Sequence, residues 1–189
     1  MPRDGAVGED QLVAEARADA DLGADRHALH ADIGPFCLPH RFALLAPGSA
    51  PHRLIKRWPV EHYRALASNL LAHGVTPVVV GTAPEKPLAQ AIDGAIDLTG
   101  RTDLAQLTSL ARIAAVAIGN DTGPMHLIAA AGCPSVVLFS RDSDPALCAP
   151  SGPIVTTLRR PDLSELEPAS VMDAVAAIIP AQAGALVAG

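Results

Sequence analysis

Apolar residues in this chain fall into short unbroken runs, at 42–46, 75–80, 114–118 and 135–139, with a weaker run at 154–158. These runs do not alternate with polar residues, which suits strands whose sheet is covered on both faces. Between them the apolar spacing changes to a helical period. Residues 60–73 place Val60, Tyr63, Leu66, Ala67, Leu70 and Leu71 on one face, and Gly74 follows as a helix stop. A short helix over 86–93 and a short strand over 96–98 come next. Asp103 caps a helix carrying Leu104, Leu107, Leu110 and Ala111 on one side. Further helices are expected over 124–131, closed by Gly132, and over 168–179. Strands alternating with helices of this length imply parallel βαβ units with right-handed crossovers. The expected fold is α/β: a doubly wound, Rossmann-like parallel sheet.

The alternation divides the chain. Residues 1–40 stand outside it and read as an acidic arm, a linker or the remnant of an N-terminal domain. Within residues 1–32 eight acidic side chains face three basic ones, with a weak helical pattern at 9–22. Residues 41–180 form the sheet domain and 181–189 a tail. At 189 residues the chain fits one domain with extensions. Aromatics are only 3% of the chain, so the core is aliphatic. A net charge of -6 argues against a nucleic-acid partner, which needs a basic face. The start, MPRDGAVGEDQ, lacks the apolar core of a signal peptide. The apolar run at 169–189 is broken by Asp173, Pro180 and Gln182, against a transmembrane span. Cys37, Cys133 and Cys148 have no metal-ligand spacing and read as buried or incidental thiols of a reducing compartment. The histidines make no metal set. A cytoplasmic location and no metal are the expectations.

Candidate chemistry gathers where strands end. Ser49, Gly81, Asp121 and Ser140 are expected on one rim of the sheet, and ligands of open α/β sheets bind at that rim. Residues 119–123 read as a turn into a helix whose free N–H groups and dipole favour phosphate. Gly123 permits close approach, and Pro124 suits the first helical position. Ser49 offers an amide and a hydroxyl to phosphate, and Lys56, in Lys56-Arg57-Trp58-Pro59, a positive charge; the other reading is an ordinary basic loop with a packed tryptophan. Glu85 either accepts ribose hydroxyls or caps its own helix. Asp121 would repel a phosphate unless it binds hydroxyls, which points to a sugar; the other reading is an N-cap, a role Thr122 can share. His126 faces the phosphate or packs.

Three segments carry a resemblance: PGSAPHRLIKRWPVEHYRALASNLLAHGVTPVVVGT, LTGRTDLAQLTSLARIAAVAIGNDTGPMHLIAAAGCPSVVLFS, and the stretch from Pro145 to Pro150. They resemble the C-terminal half of family 9 glycosyltransferases, the ADP-heptose:lipopolysaccharide heptosyltransferases. The resemblance implies the donor-binding half of a GT-B architecture, with ADP-heptose as donor and lipopolysaccharide core as acceptor. It further implies peripheral contact with the inner membrane and a metal-independent, inverting transfer. By the same resemblance Ser49 and Lys56 contact the diphosphate, Glu85 holds the ribose, and Asp121 binds heptose hydroxyls. Thr122 and Gly123 offer N–H groups, and His126 lines the site. The general base belongs to the acceptor-binding half, which this chain lacks, so a separate N-terminal half is an implied partner. No catalytic residue is assigned here. An alternative is a non-catalytic nucleotide-sugar-binding module that needs a partner chain. The loop 140–145 departs from the glycine-threonine version usual in the family.

Overall fold

The computed structural model describes residues 31–50 and 53–179. Six parallel strands form one sheet: β1 (Phe42–Ala46), β2 (Thr76–Val79), β3 (Ile96–Asp97), β4 (Val116–Asn120), β5 (Ser135–Phe139) and β6 (Val155–Arg159). Their spatial order is β3-β2-β1-β4-β5-β6. The order reverses between β1 and β4, which pair with Ala46 opposite Gly119. Ligands of doubly wound sheets bind at such a switch point.

Side chains alternate between the two faces, as a strand requires. Ala43, Leu45, Val116, Ile118, Val136 and Leu138 point to one apolar core. Phe42, Leu44, Ala46, Ala117, Val137 and Phe139 point to the other. The first face is covered by α1 (Val60–Ala72) packed against α6 (Pro168–Ile178). The second is covered by α3 (Leu104–Ile113) and α4 (Gly123–Ala130). Two short helices, α2 (Lys86–Gln90) and α5 (Pro145–Cys148), sit at strand ends. Burying a leucine-sized side chain contributes about 1.5–3 kcal/mol, so Tyr63, Leu66 and Leu70 alone anchor α1 firmly.

Several boundaries move by a few residues. The strand expected over 114–118 begins at Val116 and extends through Gly119 and Asn120, so the turn before α4 is only Asp121 and Thr122. Pairing with Leu138 on β5 draws Asn120 into the sheet. The 86–93 helix stops at Gln90 and is preceded by a 3-10 turn, Ala83–Glu85. Leu71 and Leu104 leave the buried faces assigned to them, at 42% and 50% exposure. Leu71 sits in the last turn of α1 and Leu104 begins α3, where fewer neighbours cover a side chain. Of the cysteines, Cys133 is buried, Cys148 is partly covered and Cys37 is exposed, so burial does not describe Cys37. Ile33, Phe36 and Leu38 pack against the second core. The helix expected over 9–22 and the tail at 181–189 lie outside the described residues.

Candidate functional site

The ends of β1 and β4 lie side by side, so the segments that follow them meet. After β1 the chain runs through Pro47-Gly48-Ser49 to a 3-10 turn, Leu54–Lys56, and then into α1. After β4 comes Asp121, then Thr122, the N-cap of α4. Lys56 Nζ donates to Asp121 Oδ2 at 2.9 Å, with side chains only 11% and 8% exposed. His126, one turn into α4, brings Nε2 to 3.6 Å from Asp121 Oδ1, longer than a good hydrogen bond. Burial pushes the Asp121 carboxyl up. Attraction to His126, Lys56 and Ser143 outweighs this and holds it down at about 2. The carboxylate is therefore ionised at any ordinary pH.

Asp121 does not cap α4. The cap position belongs to Thr122, whose hydroxyl donates to the Asn120 carbonyl at 3.2 Å and accepts no N–H of the helix. Among the described residues no protein acceptor takes the N–H groups of Thr122 or Gly123. They directly follow Asp121, the partner of Lys56, and N–H groups at a helix start suit a ligand anion. Gly119 permits this closeness: a Cβ there would lie 2.7 Å from Met125 Sδ and 2.8 Å from Ala46 Cβ.

Ser49 is buried and its hydroxyl is engaged. It donates to the Arg53 carbonyl at 3.1 Å and accepts from Arg57 Nε at 2.9 Å. Arg57 Nη2 also donates to the Ser49 carbonyl at 2.9 Å. The serine thus stands near Lys56 with its proton committed to the backbone. Glu85 takes the local option. Its Oε2 accepts the Thr82 N–H at 2.6 Å and the Thr82 hydroxyl at 3.0 Å, closing a capping box around its own turn. The Glu85 carboxylate also lies against Gly48, filling the space a Cβ there would need, so Gly48 joins the two loops at the rim.

Three contributors were not singled out by sequence reasoning. Arg57 secures Ser49, as described. Ser143, from the loop after β5, is buried and contributes to lowering the Asp121 carboxyl. Asn120 is fully buried and ties the end of β4 to the segment after β1. A polar residue ending an apolar run is the signal that could have found Asn120; nothing local marks Ser143. Cys148 lies close enough to Asp121 that burial and the carboxylate charge both push its thiol up. Among the described residues no group of three metal-ligating side chains comes together.

A doubly wound parallel sheet with the Lys56–Asp121 pair at its switch point defines the class: a Rossmann-like α/β domain. The family model for Glycosyltransferase family 9 (heptosyltransferase) matches residues 10–174, and the chain belongs to that family. Lipooligosaccharide heptosyltransferase 2 of Haemophilus influenzae is 31% identical over 97 residues, 47% of this chain and 28% of that protein. Lipopolysaccharide heptosyltransferase 2 of Escherichia coli K12 is 33% identical over the same length and shares. Among solved structures, E. coli ADP-heptose LPS heptosyltransferase II superposes with a TM-score of 0.66 at 22% identity, over 92% of this chain and 52% of that one. E. coli heptosyltransferase WaaC with ADP gives 0.63 at 25% identity, over 80% and 51%. The chain thus spans about half the length of its solved relatives. The fold is the Rossmann-like type found in GT-B glycosyltransferases.

Proposed function

We propose that this chain is the donor-binding half of an inverting heptosyltransferase acting on lipopolysaccharide core, with ADP-heptose as donor. The observation that carries it is the Lys56–Asp121 pair, 2.9 Å apart at the open N-terminus of α4. The diphosphate seats on the Thr122 and Gly123 N–H groups, with Lys56 beside it; support comes from the likeness to WaaC, whose structure is one with ADP. Asp121, kept ionised, accepts sugar hydroxyls, and its paired lysine offsets its repulsion of the phosphate. Glu85 and Gly48 border the ribose side, His126 lines the sugar side, and Ser49 shapes the loop through its own hydrogen bonds.

In the transfer, an acceptor hydroxyl oxygen forms a bond to the anomeric carbon while the bond to the diphosphate breaks, inverting the centre. Negative charge develops on the departing ADP. Lys56 and the helix N-terminus meet that charge in a partly desolvated pocket, the role a metal ion fills elsewhere. The acceptor proton needs a base. A carboxylate held at about 2 is a poor one, so Asp121 does not take it. That base comes from a group outside the described residues, and peripheral contact with the inner membrane follows from a lipid-linked acceptor.

Titration calorimetry with ADP on wild type and Lys56→Ala tests this reading. Wild type is expected to bind, and Lys56→Ala to bind at least about tenfold more weakly, equivalent to about 1.4 kcal/mol. No binding by wild type, or equal binding by both, rejects it. A transfer assay with and without a supplied N-terminal half separates a split enzyme from a binding module: sugar transfer in the mixture alone supports the first.

A further inference from the structure

Asn120 has no exposed surface, and both ends of its amide are engaged. Oδ1 accepts the Trp58 backbone N–H at 3.0 Å and faces the Tyr63 hydroxyl at 3.3 Å. Nδ2 donates to the carbonyls of Pro47 at 2.8 Å and Gly48 at 3.1 Å. Donors face the oxygen and carbonyls face the nitrogen, so the network admits only one orientation of the amide. One side chain thus ties three segments: the loop leaving β1, the backbone entering α1, and α1 itself. Two of its partners bracket the segment that carries Lys56, with Gly48 before it and Trp58 after it. Asn120 also immediately precedes Asp121, so the same residue fixes both ends of the ion pair.

The geometry points to Asn120 as a positioning residue that sets the Lys56 ammonium opposite Asp121 and the α4 N-terminus. It touches neither donor nor acceptor, and acts by holding the lysine loop at a set distance from β4. This assignment rests on the donor-site reading for its effect on ligand binding, but its structural claim stands apart from that reading. Trp58 strengthens the case. Its indole Nε1 donates to the Leu166 carbonyl at 2.7 Å and its ring is buried, so the backbone N–H offered to Asn120 is itself anchored.

A double-mutant cycle tests the assignment. Asn120→Leu, Lys56→Ala and the double variant are compared for ADP affinity by calorimetry, each first shown folded by circular dichroism. Asn120→Leu is expected to weaken ADP about tenfold. In the double variant the loss stays within about threefold of Lys56→Ala alone, because the position of an absent ammonium no longer matters. Losses that multiply, or a folded Asn120→Leu that binds like wild type, overturn the assignment. If Asn120→Leu does not fold, Asn120→Ser, which puts a hydroxyl in place of the amide and admits water, carries the same cycle. A ligand-free measurement decides the case independently: carboxyl titration of Asp121 by NMR. The asparagine variant should move the Asp121 midpoint up toward the value in Lys56→Ala, and an unmoved midpoint overturns the proposal. If the midpoint moves while wild type fails to bind ADP, the donor-site reading falls and the positioning role stands.

Discussion

Two carboxylates stand on the same rim of this sheet and are held in opposite ways. Glu85, after β2, is satisfied by Thr82, three residues away, and is half-buried. Asp121, after β4, is 9% exposed and is satisfied by Lys56, which lies 65 residues earlier in the chain. The first arrangement needs only its own turn. The second needs β1 and β4 in register, a loop of set length, and Asn120 between them. A locally satisfied carboxylate adds to the stability of a turn. One held from a distance records the assembly of a site, and removing its partner exposes an uncompensated charge in a partly desolvated place.

The sharpest way to break this contrast is to remove the two partners separately. Lys56→Ala should destabilise the fold by about 3 kcal/mol, since one member of a buried pair is left alone. Thr82→Ala should cost about 1 kcal/mol, as the loss of a cap does. Urea unfolding midpoints would measure both, and a smaller loss for Lys56→Ala would overturn the contrast.

Acid provides the next largest effect. The Asp121 carboxyl is lowered from 3.8 to about 2 on folding. A depressed folded value means the contribution is complete above pH 4 and is lost as pH falls through about 2. The loss amounts to about 2 kcal/mol, from roughly 1.4 kcal/mol per unit. Unfolding of wild type and Asp121→Asn between pH 7 and pH 2 would show it as the steeper acid decline of wild type.

Smaller effects sharpen the comparison. Glu85→Gln keeps a capping side chain and should change stability by only about 0.5 kcal/mol. If the residue also holds the ribose, the same variant should weaken ADP severalfold in calorimetry. Arg57→Lys should cost about 0.5–1 kcal/mol in urea unfolding, because an ammonium cannot hold both Ser49 oxygens as the guanidinium does.

Legibility followed the range of the interaction. The capping box at Thr82 and Glu85 is a local pattern, and self-capping was one of the two readings open for Glu85. The capping alternative for Asp121 was equally readable and is not the one the protein adopts, because Thr122 occupies the cap position and Lys56 claims the carboxylate. Asn120 was visible as part of a turn; pairing with Leu138 makes it the end of a strand. Ser143 sits in a loop whose sequence departs from the family pattern, yet it is buried. Backbone placement there, which no short motif encodes, decides that.

By itself the sequence determined the parallel α/β class, most strand and helix positions, and the cluster of rim residues. Those properties depend on apolar periodicity and on turn chemistry within a few neighbours, both of which are written locally. Only the tertiary structure decided which polar groups hold one another. That choice depends on which strand ends are adjacent, and the order β3-β2-β1-β4-β5-β6 brings Ala46 beside Gly119 and so Lys56 to Asp121. Charges separated by 65 residues interact strongly only when folding brings them within a few ångströms and removes most of the water between them.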